Sequence, residues 1–320
     1  MYTRNILAYI LLCYMAIRYL LICTRRLTMI YKNIITIKKL IIIALFLIII
    51  MIFCYWQNNS IIVTNINYVN SKIPNSFNGY KILHISDLHN KEFGKNQKKL
   101  ISLTKELNPD IIVVTGDLID SRRTTIDDMH IALSYMKSAI DIAPVYYVSG
   151  NHEERSNLYN DLKIALEECG VINMGDTHKD IELNGDSISL LGLADISSNS
   201  IISSKYNTSP LGFDEILGNL KTESNNKFTI LLSHRPELIK LYSRENIDLV
   251  FSGHAHGGQI RLPFLGGLIA PNQGFFPKYT NGIHKLNSTS LVISRGLGNS
   301  LAPQRLFNRP EVVVVNLSNK

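Results

Sequence analysis

The sequence predicts an α/β domain with mixed β-sheets between helices, preceded by one or two apolar N-terminal helices. Three observations carry that expectation. From residue 80 onward, apolar runs of strand length alternate with stretches of helix length. Several of those runs, such as IIVVT and VYYV, show no polar alternation, as strands covered on both faces require. The first 56 residues contain no Asp or Glu and include LIIIALFLIIIMIFCYW at 40–56.

The N-terminus accounts for the charge of the chain. Its 320 residues carry a net charge of +7, and Arg4, Arg18, Arg25, Arg26, Lys32, Lys38 and Lys39 match that excess. The rest balances, which removes the reason to expect a nucleic-acid partner, since phosphate-backbone binding draws on clustered Lys and Arg. Residues 40–56 are uncharged over a length near the lower limit for a bilayer-spanning helix. Lys38 and Lys39 precede the run, and Tyr55 and Trp56 close it as interfacial aromatics do. No small-residue cleavage pattern follows, which favours a retained anchor over a removed leader.

A second apolar run at 6–23 is interrupted by Arg18, so one or two helices span. Translation from Met29 would leave a signal anchor alone. In each case the basic loop from Arg25 to Lys39 stays cytoplasmic by the positive-inside rule, and the chain after Trp56 lies on the extracytoplasmic side. Cys169 stands alone after the anchor and has no partner there for a disulfide. The expected organisation is a membrane anchor at 1–56, a polar tether at 57–79 and a catalytic domain at 80–320.

Within that domain the strands are expected at 81–86, 111–116, 145–150, 181–183, 187–193, 228–233, 249–253, 291–294 and 312–316. Helices are expected near 95–107, 125–140 and 158–168. Asn184-Gly185 reads as a hairpin turn, IIVTNINYV in the tether as a possible extra strand, and 197–209, rich in Ser and Asn, as a surface loop.

The chemistry-bearing residues stand at one kind of place. Asp87 and His89 follow the first strand, Asp117 the second, and Asn151 and His152 the third. His234 follows a later strand, and His254 and His256 the next. The carboxyl ends of strands are where sites form in open α/β sheets. Asp, Asn and His without thiolates make a mixed nitrogen and oxygen donor set that suits Mn, Fe or Zn. Gly116, Gly150 and Gly253 precede donors and allow tight turns, and Gly257 and Gly258 would let backbone approach a phosphate.

Asp87-x-His89, Gly116-Asp117-x-x-Asp120, Gly150-Asn151-His152-Glu153, His234 and Gly253-His254-x-His256, in that order, resemble the calcineurin-like metallophosphoesterases. The likeness runs from about Tyr80 to Val315, and the segments GGQIRLP, PNQGF, SRGLGNS and RLFNRPE look like the membrane-associated bacterial branch. The resemblance implies a four-layer α/β/β/α fold and a hydrolase with two divalent ions, Mn, Fe or Zn. It implies Asp87, His89 and His256 on one ion, Asn151, His234 and His254 on the other, and Asp117 shared. It implies His152 as the acid for the leaving oxygen and Asp120 as the residue that orients it.

The substrate class is then a phosphodiester, pyrophosphate or monoester, carried on a small molecule or on a lipid of the cell envelope. Alternatives from other classes are a catalytically silent scaffold on the same fold and a phosphoprotein phosphatase. Arg295, Arg305 and Arg309 are candidates to reach a substrate phosphate, whereas Arg122 and Arg123 read as a solvated loop. His84 reads as a buried or edge strand residue, and His130, His178 and His284 as structural or exposed. Glu153 reads either as support for the metal ligands or as a helix-start carboxylate.

Overall fold

A computed structural model describes residues 2–195, 212–225, 227–300 and 302–320, with side chains from residue 14 onward. The expected loop at 197–209 lies outside the described residues.

The chain opens with α1 (Tyr2–Asn59) and β1 (Ile62–Val69). Next come β2 (Lys81–Ile85), α2 (Lys98–Leu107), β3 (Ile111–Thr115) and α3 (His130–Ala139). They are followed by β4 (Val145–Val148), a single turn α4 (Asn151–Glu154), α5 (Tyr159–Glu168) and β5 (Ile172–Asn173). A second run holds β6 (Thr177–Leu183), β7 (Asp186–Leu193), α6 (Phe213–Glu223), β8 (Thr229–Ser233), α7 (Ile239–Arg244) and β9 (Leu249–Ser252). Two small hairpins follow, β10 (Arg261–Leu262) with β11 (Gly266–Gly267), then β12 (Ile269–Ala270) with β13 (Gly274–Phe275). β14 (Gly282–Leu286), β15 (Thr289–Ile293) and β16 (Glu311–Ser318) complete the order.

Two compact units divide the chain, Met1–Tyr55 and Trp56–Lys320. In the first, α1 is long and apolar enough to cross a membrane, and its candidate span from Tyr14 has none of its apolar window buried. The stretch Arg25–Lys39, expected as a loop, is helical. Residues 1–59 contain neither Gly nor Pro, so nothing in the sequence stops the helix there.

The second unit is built on two six-stranded sheets, ordered β1-β16-β2-β3-β4-β5 and β14-β15-β9-β8-β7-β6. The run β2 to β5 is parallel, as is the run β7-β8-β9-β15, while β16, β6 and β14 add antiparallel pairs. Alternate side chains of each strand serve different cores, because successive residues point to opposite faces. Ile82, Val113 and Val148 meet Leu190, Leu232 and Phe251 between the sheets. Leu83, Val114 and Tyr147 pack under α2, α3 and α5 with Leu100, Tyr135 and Leu162. On the far side Leu191, Leu231 and Val250 pack against Phe213, Leu217 and Tyr242 of α6 and α7. The layers are therefore α/β/β/α, the expected fold.

Asn184 and Gly185 both have positive φ, at 49° and 86°, and close the β6–β7 hairpin as the sequence suggested. The stretch 57–79 departs from a tether. β1 pairs in parallel with β16 over its whole length. Phe77 is fully buried, and Ile73 and Tyr68 join it in the inter-sheet core. The helices α6 and α7 and the hairpins β10–β13 were absent from the sequence expectation.

Candidate metal centre

Five loops at carboxyl strand ends build the site. β2 runs into Asp87 and His89, β3 into Asp117, β4 into Asn151 and His152, β8 into His234, and β9 into His254 and His256. The loops are stitched by backbone bonds: Asp87 N donates to Gly116 O at 3.0 Å, His89 N to Asp117 O at 2.9 Å, and Gly253 N to His234 O at 3.1 Å. Asp87, His89, Asp117, His254 and His256 all have positive φ, between 46° and 67°. L-residues pay for that conformation in steric energy, and such strain clusters at functional sites.

The glycines act mainly by being small. A Cβ on Gly253 would lie 1.9 Å from Ser86 Oγ and 2.2 Å from Asp87 Oδ2. One on Gly150 would lie 2.3 Å from Asp117 Oδ1. Of the three only Gly116 uses a left-handed φ, so the tight-turn reason holds for that one alone. Gly257 and Gly258 press against Asn308 and Gly267, which accounts for them without a phosphate.

The donor atoms fall into three close groups: two share the Asp117 carboxylate, and a third, of His89, Asp120 and His152, shares His89 with the first. Asp87, His89, Asp117 and His256 offer atoms within 4.8 Å of one another, and so do Asp117, His234 and His254. His89 Nε2 lies 3.1 Å from His256 Nε2, and His254 Nδ1 lies 3.2 Å from His234 Nε2. Asp117 Oδ2 is 3.2 Å from His234 Nε2 and 3.6 Å from His89 Nε2. Asp87 Oδ1 is 3.3 Å from His256 Nε2. The Asn151 side-chain oxygen is buried without a hydrogen-bond partner. Ring nitrogens this close can share a cation at ~2.0–2.1 Å each, and buried oxygens without donors are what such an ion satisfies. The residues fit divalent metal. His234 is further fixed by Nδ1, which lies 2.6 Å from Thr115 O and donates to it, the outer bond that commonly sets the tautomer of a metal-binding ring.

The electrostatics suit that donor set at three of the four rings, while at His234 a bound ion would have to displace a proton. Burial lowers His89 to about 3 and takes His254 and His256 well below the usual imidazole range, so these rings stay neutral. Burial raises Asp87 to about 6. Burial also opposes the charge on Asp117, but His234, His89 and His152 together hold that carboxyl well below its ordinary value. His234 is pushed up to about 10: burial lowers it, and Asp117, Asp87 and Asp195 together more than reverse the effect.

His152 lies beside the two groups that share Asp117. Its Nδ1 is 3.4 Å from Asp120 Oδ1 and 3.1 Å from the N–H of Ser121. The carboxylate favours a proton on Nδ1, and the N–H favours a bare nitrogen. Burial disfavours the charged ring, but the Asp120 bond and the charges of Asp117, Asp120 and Glu153 prevail and raise its pKa. Asp120 also receives Arg122 Nε at 3.2 Å and the Arg123 guanidinium.

Sequence reasoning missed the basic lining. A pocket of about 420 Å³ is lined by Asp117, Asn151, His152 and His254 together with Arg122, Arg155 and Asn272. Arg122 is thus a wall of the site, and a cation just past the Asn151 turn was the available hint of Arg155. Arg305 is buried and donates to Gly298 O and Asn308 O, Arg309 donates to Ser60, and Arg295 pairs with Glu311. These three support loops and do not line the pocket. Glu153 is support and not a simple helix-start charge, for it accepts from the N–H groups of Asp117, Ile119 and Gly150 at 2.7, 3.1 and 2.8 Å. His84 is fully buried, while His130, His178 and His284 bond locally.

A family model described as calcineurin-like phosphoesterase matches residues 80–258, the segment that supplies all of these donors. This chain belongs to the calcineurin-like phosphoesterases. The phosphoesterase is 30% identical over 270 residues to the uncharacterized metallophosphoesterase YkuE of Bacillus subtilis, covering 83% of this chain and 88% of that protein. It is 26% identical to the phosphodiesterase YaeI of Escherichia coli, over 74% of this chain and 82% of that one. A transmembrane protein with metallophosphoesterase domain from Danio rerio is 29% identical, covering 77% of this chain and 55% of its own length. A dimetal phosphatase from Danio rerio shares 12% identity, with a TM-score of 0.43, over 69% of this chain and 88% of that one. The phosphoesterase is accordingly a metal-dependent phosphoric ester hydrolase of a family that uses divalent ions.

Proposed function

We propose that this phosphoesterase is a binuclear enzyme held at a membrane, with its catalytic unit on the extracytoplasmic side, acting on a phosphoester or pyrophosphate of a lipid or other envelope molecule. Asp87, His89 and His256 would hold one divalent ion, Asn151, His234 and His254 the second, and Asp117 would be common to both. Mn, Fe and Zn all suit this donor set. Bound ions supply a nucleophile from water at neutral pH and neutralise charge on the phosphoryl group. The observation that carries the reading is the pair of donor groups joined through Asp117.

The protein's own groups do the rest. Arg122 and Arg155 line the pocket and suit phosphate oxygens by charge and hydrogen-bond geometry. His152 gives a proton from Nε2 to the leaving oxygen, since Nδ1 is turned to Asp120 and Ser121. Asp120 favours the charged ring, the form with a proton to give. The basic stretch from Arg25 to Lys39 supports a cytoplasmic start, and α1 carries the chain across.

The test uses the full chain in detergent, purified without chelator. Elemental analysis should find about two ions per chain, and bis(p-nitrophenyl) phosphate should be hydrolysed. His152→Ala should keep the ions and lose most turnover, with the largest loss for poor leaving groups. Bound metal with no turnover on diester, monoester or pyrophosphate would favour a silent scaffold instead.

A further inference from the structure

Exposed aliphatic side chains of the catalytic unit are spread over its surface, at Val69, Ile126, Ile164 and Ile283 among others, but its exposed phenylalanines are not. Among the described residues from Trp56 on, every exposed phenylalanine lies in the hairpins β10–β13 or the neighbouring 303–309 loop: Phe264, Phe275, Phe276 and Phe307. Phe264 is as exposed as a free side chain, at 107%. Leu265 and Ile269 are exposed in the same hairpins. Phe264, Phe276 and Phe307 also have positive φ, of 67°, 51° and 51°. Bulky residues in that conformation are outliers, and Gly or Asn would fill such turns without strain. Exposed aromatics kept at strained positions point to a surface that uses them.

The backbone ties this patch to the place where the chain leaves α1. Asn58 in its last turn donates from Nδ2 to Pro303 O at 3.0 Å and accepts from Arg305 N at 2.8 Å. The Arg309 guanidinium lies 4.6 Å from the centre of the Trp56 ring. The same loop bonds the first hairpin, for Arg261 N donates to Leu306 O at 3.0 Å. Ile62, where β1 begins, pairs with Glu311, and Val313 pairs with His84, so β1 starts at the sheet end where β2 runs into Asp87. The turn between β12 and β13 carries Asn272 of the pocket lining, with Phe275 and Phe276 just beyond it.

We infer that the hairpins β10–β13 and Phe307 form a second membrane contact, entering the interfacial layer of the bilayer that α1 crosses and setting the pocket mouth at the lipid surface. This rests on the proposed membrane-anchored reading. Aromatic and aliphatic side chains partition into that layer, and one apolar anchor strengthens another by holding it nearby. The substrate this favours has an apolar tail that stays in the lipid while its phosphoester reaches His152.

The test uses the full chain in nanodiscs of phosphatidylcholine and phosphatidylglycerol, with Cys13, Cys23, Cys54 and Cys169 replaced by Ala. Single nitroxide labels are placed through Phe264→Cys, Phe275→Cys, Leu45→Cys within α1, and Val69→Cys at the sheet end remote from Asp87. Hydrolysis of a soluble ester by each labelled protein establishes that it is folded. EPR collision rates with oxygen and with a water-soluble nickel chelate then report depth. The inference expects labels at 264 and 275 to show an oxygen-to-nickel ratio several-fold above that at 69. A lipid-buried label at 45 with 264 and 275 as wet as 69 would overturn the second contact and leave the anchor standing. A wet label at 45 would overturn the anchor, and the inference with it.

Discussion

Replacing Glu153 with Ala should loosen the centre from behind. The carboxylate is fully buried and is the acceptor for three backbone N–H groups, those of Asp117, Ile119 and Gly150. They belong to two loops, one carrying Asp117 and the other Asn151 and His152. Alanine leaves all three donors buried and without that acceptor. At ~1–3 kcal/mol for each unsatisfied group the loss is about 3 kcal/mol at least and about 9 at most. Water entering the space vacated by the side chain moves the value toward the lower bound. For a domain of this size about 3 kcal/mol lowers the melting temperature by roughly 6–12 °C. Glu153→Gln keeps the shape and one oxygen. Oriented with its oxygen toward Asp117 and Gly150, it retains two bonds and turns an NH2 on Ile119, so its cost should be about 1–3 kcal/mol. The assay is thermal unfolding of the detergent-solubilised chain followed by near-UV circular dichroism, with metal content measured on the same samples. Ala should fall below Gln, and both below the parent, with metal content falling in the same order. A variant with Ala that melts with the parent and keeps its metal would refute the view that this carboxylate joins the two loops.

Acid should weaken the fold through His84. Burial lowers this residue to about 3 from its ordinary 6.5, so the folded state refuses a proton that the unfolded chain accepts. Its contribution is complete above pH ~6.5 and lost as pH falls toward the folded value, at about 1.4 kcal/mol per pH unit, or roughly 2 kcal/mol by pH 5. His84→Leu should flatten the fall in melting temperature between neutral pH and pH 5, and an unchanged slope would count against it. Phe77→Ala should cost ~3–5 kcal/mol, as a buried aromatic truncated in the inter-sheet core does. Unfolding within error of the parent would return residues 57–79 to the status of a tether.

Legibility followed the number of faces each element buries. β3 is buried at all five positions and was plain as an unbroken apolar run. β1 was ambiguous because only Tyr68 of its eight residues is buried, and what fixes it is β16, far away in sequence. The site donors could be read because each follows a strand that could itself be read, and the structure brings all of them together. The arginines could not be sorted, since a guanidinium that caps carbonyls and one that lines a pocket look alike in sequence. Arg305 turned inward to Gly298 and Asn308, whereas Arg122, paired to Asp120, and Arg155 line the cavity. Glu153 was undecided for a similar reason, because its value lies in three backbone groups that carry no side-chain signature.

The parallel pairing of β1 with β16 has a consequence for how the protein is made. The first strand of the catalytic unit finds its hydrogen-bond partner in the last strand, Glu311–Ser318. During synthesis β1 must therefore wait, its edge unpaired, until residues 311–318 have emerged. A stalled or clipped chain lacking that strand would carry an open sheet edge, a ready substrate for quality-control proteases. Emergence of β16 and closure of that part of the sheet are thereby one event.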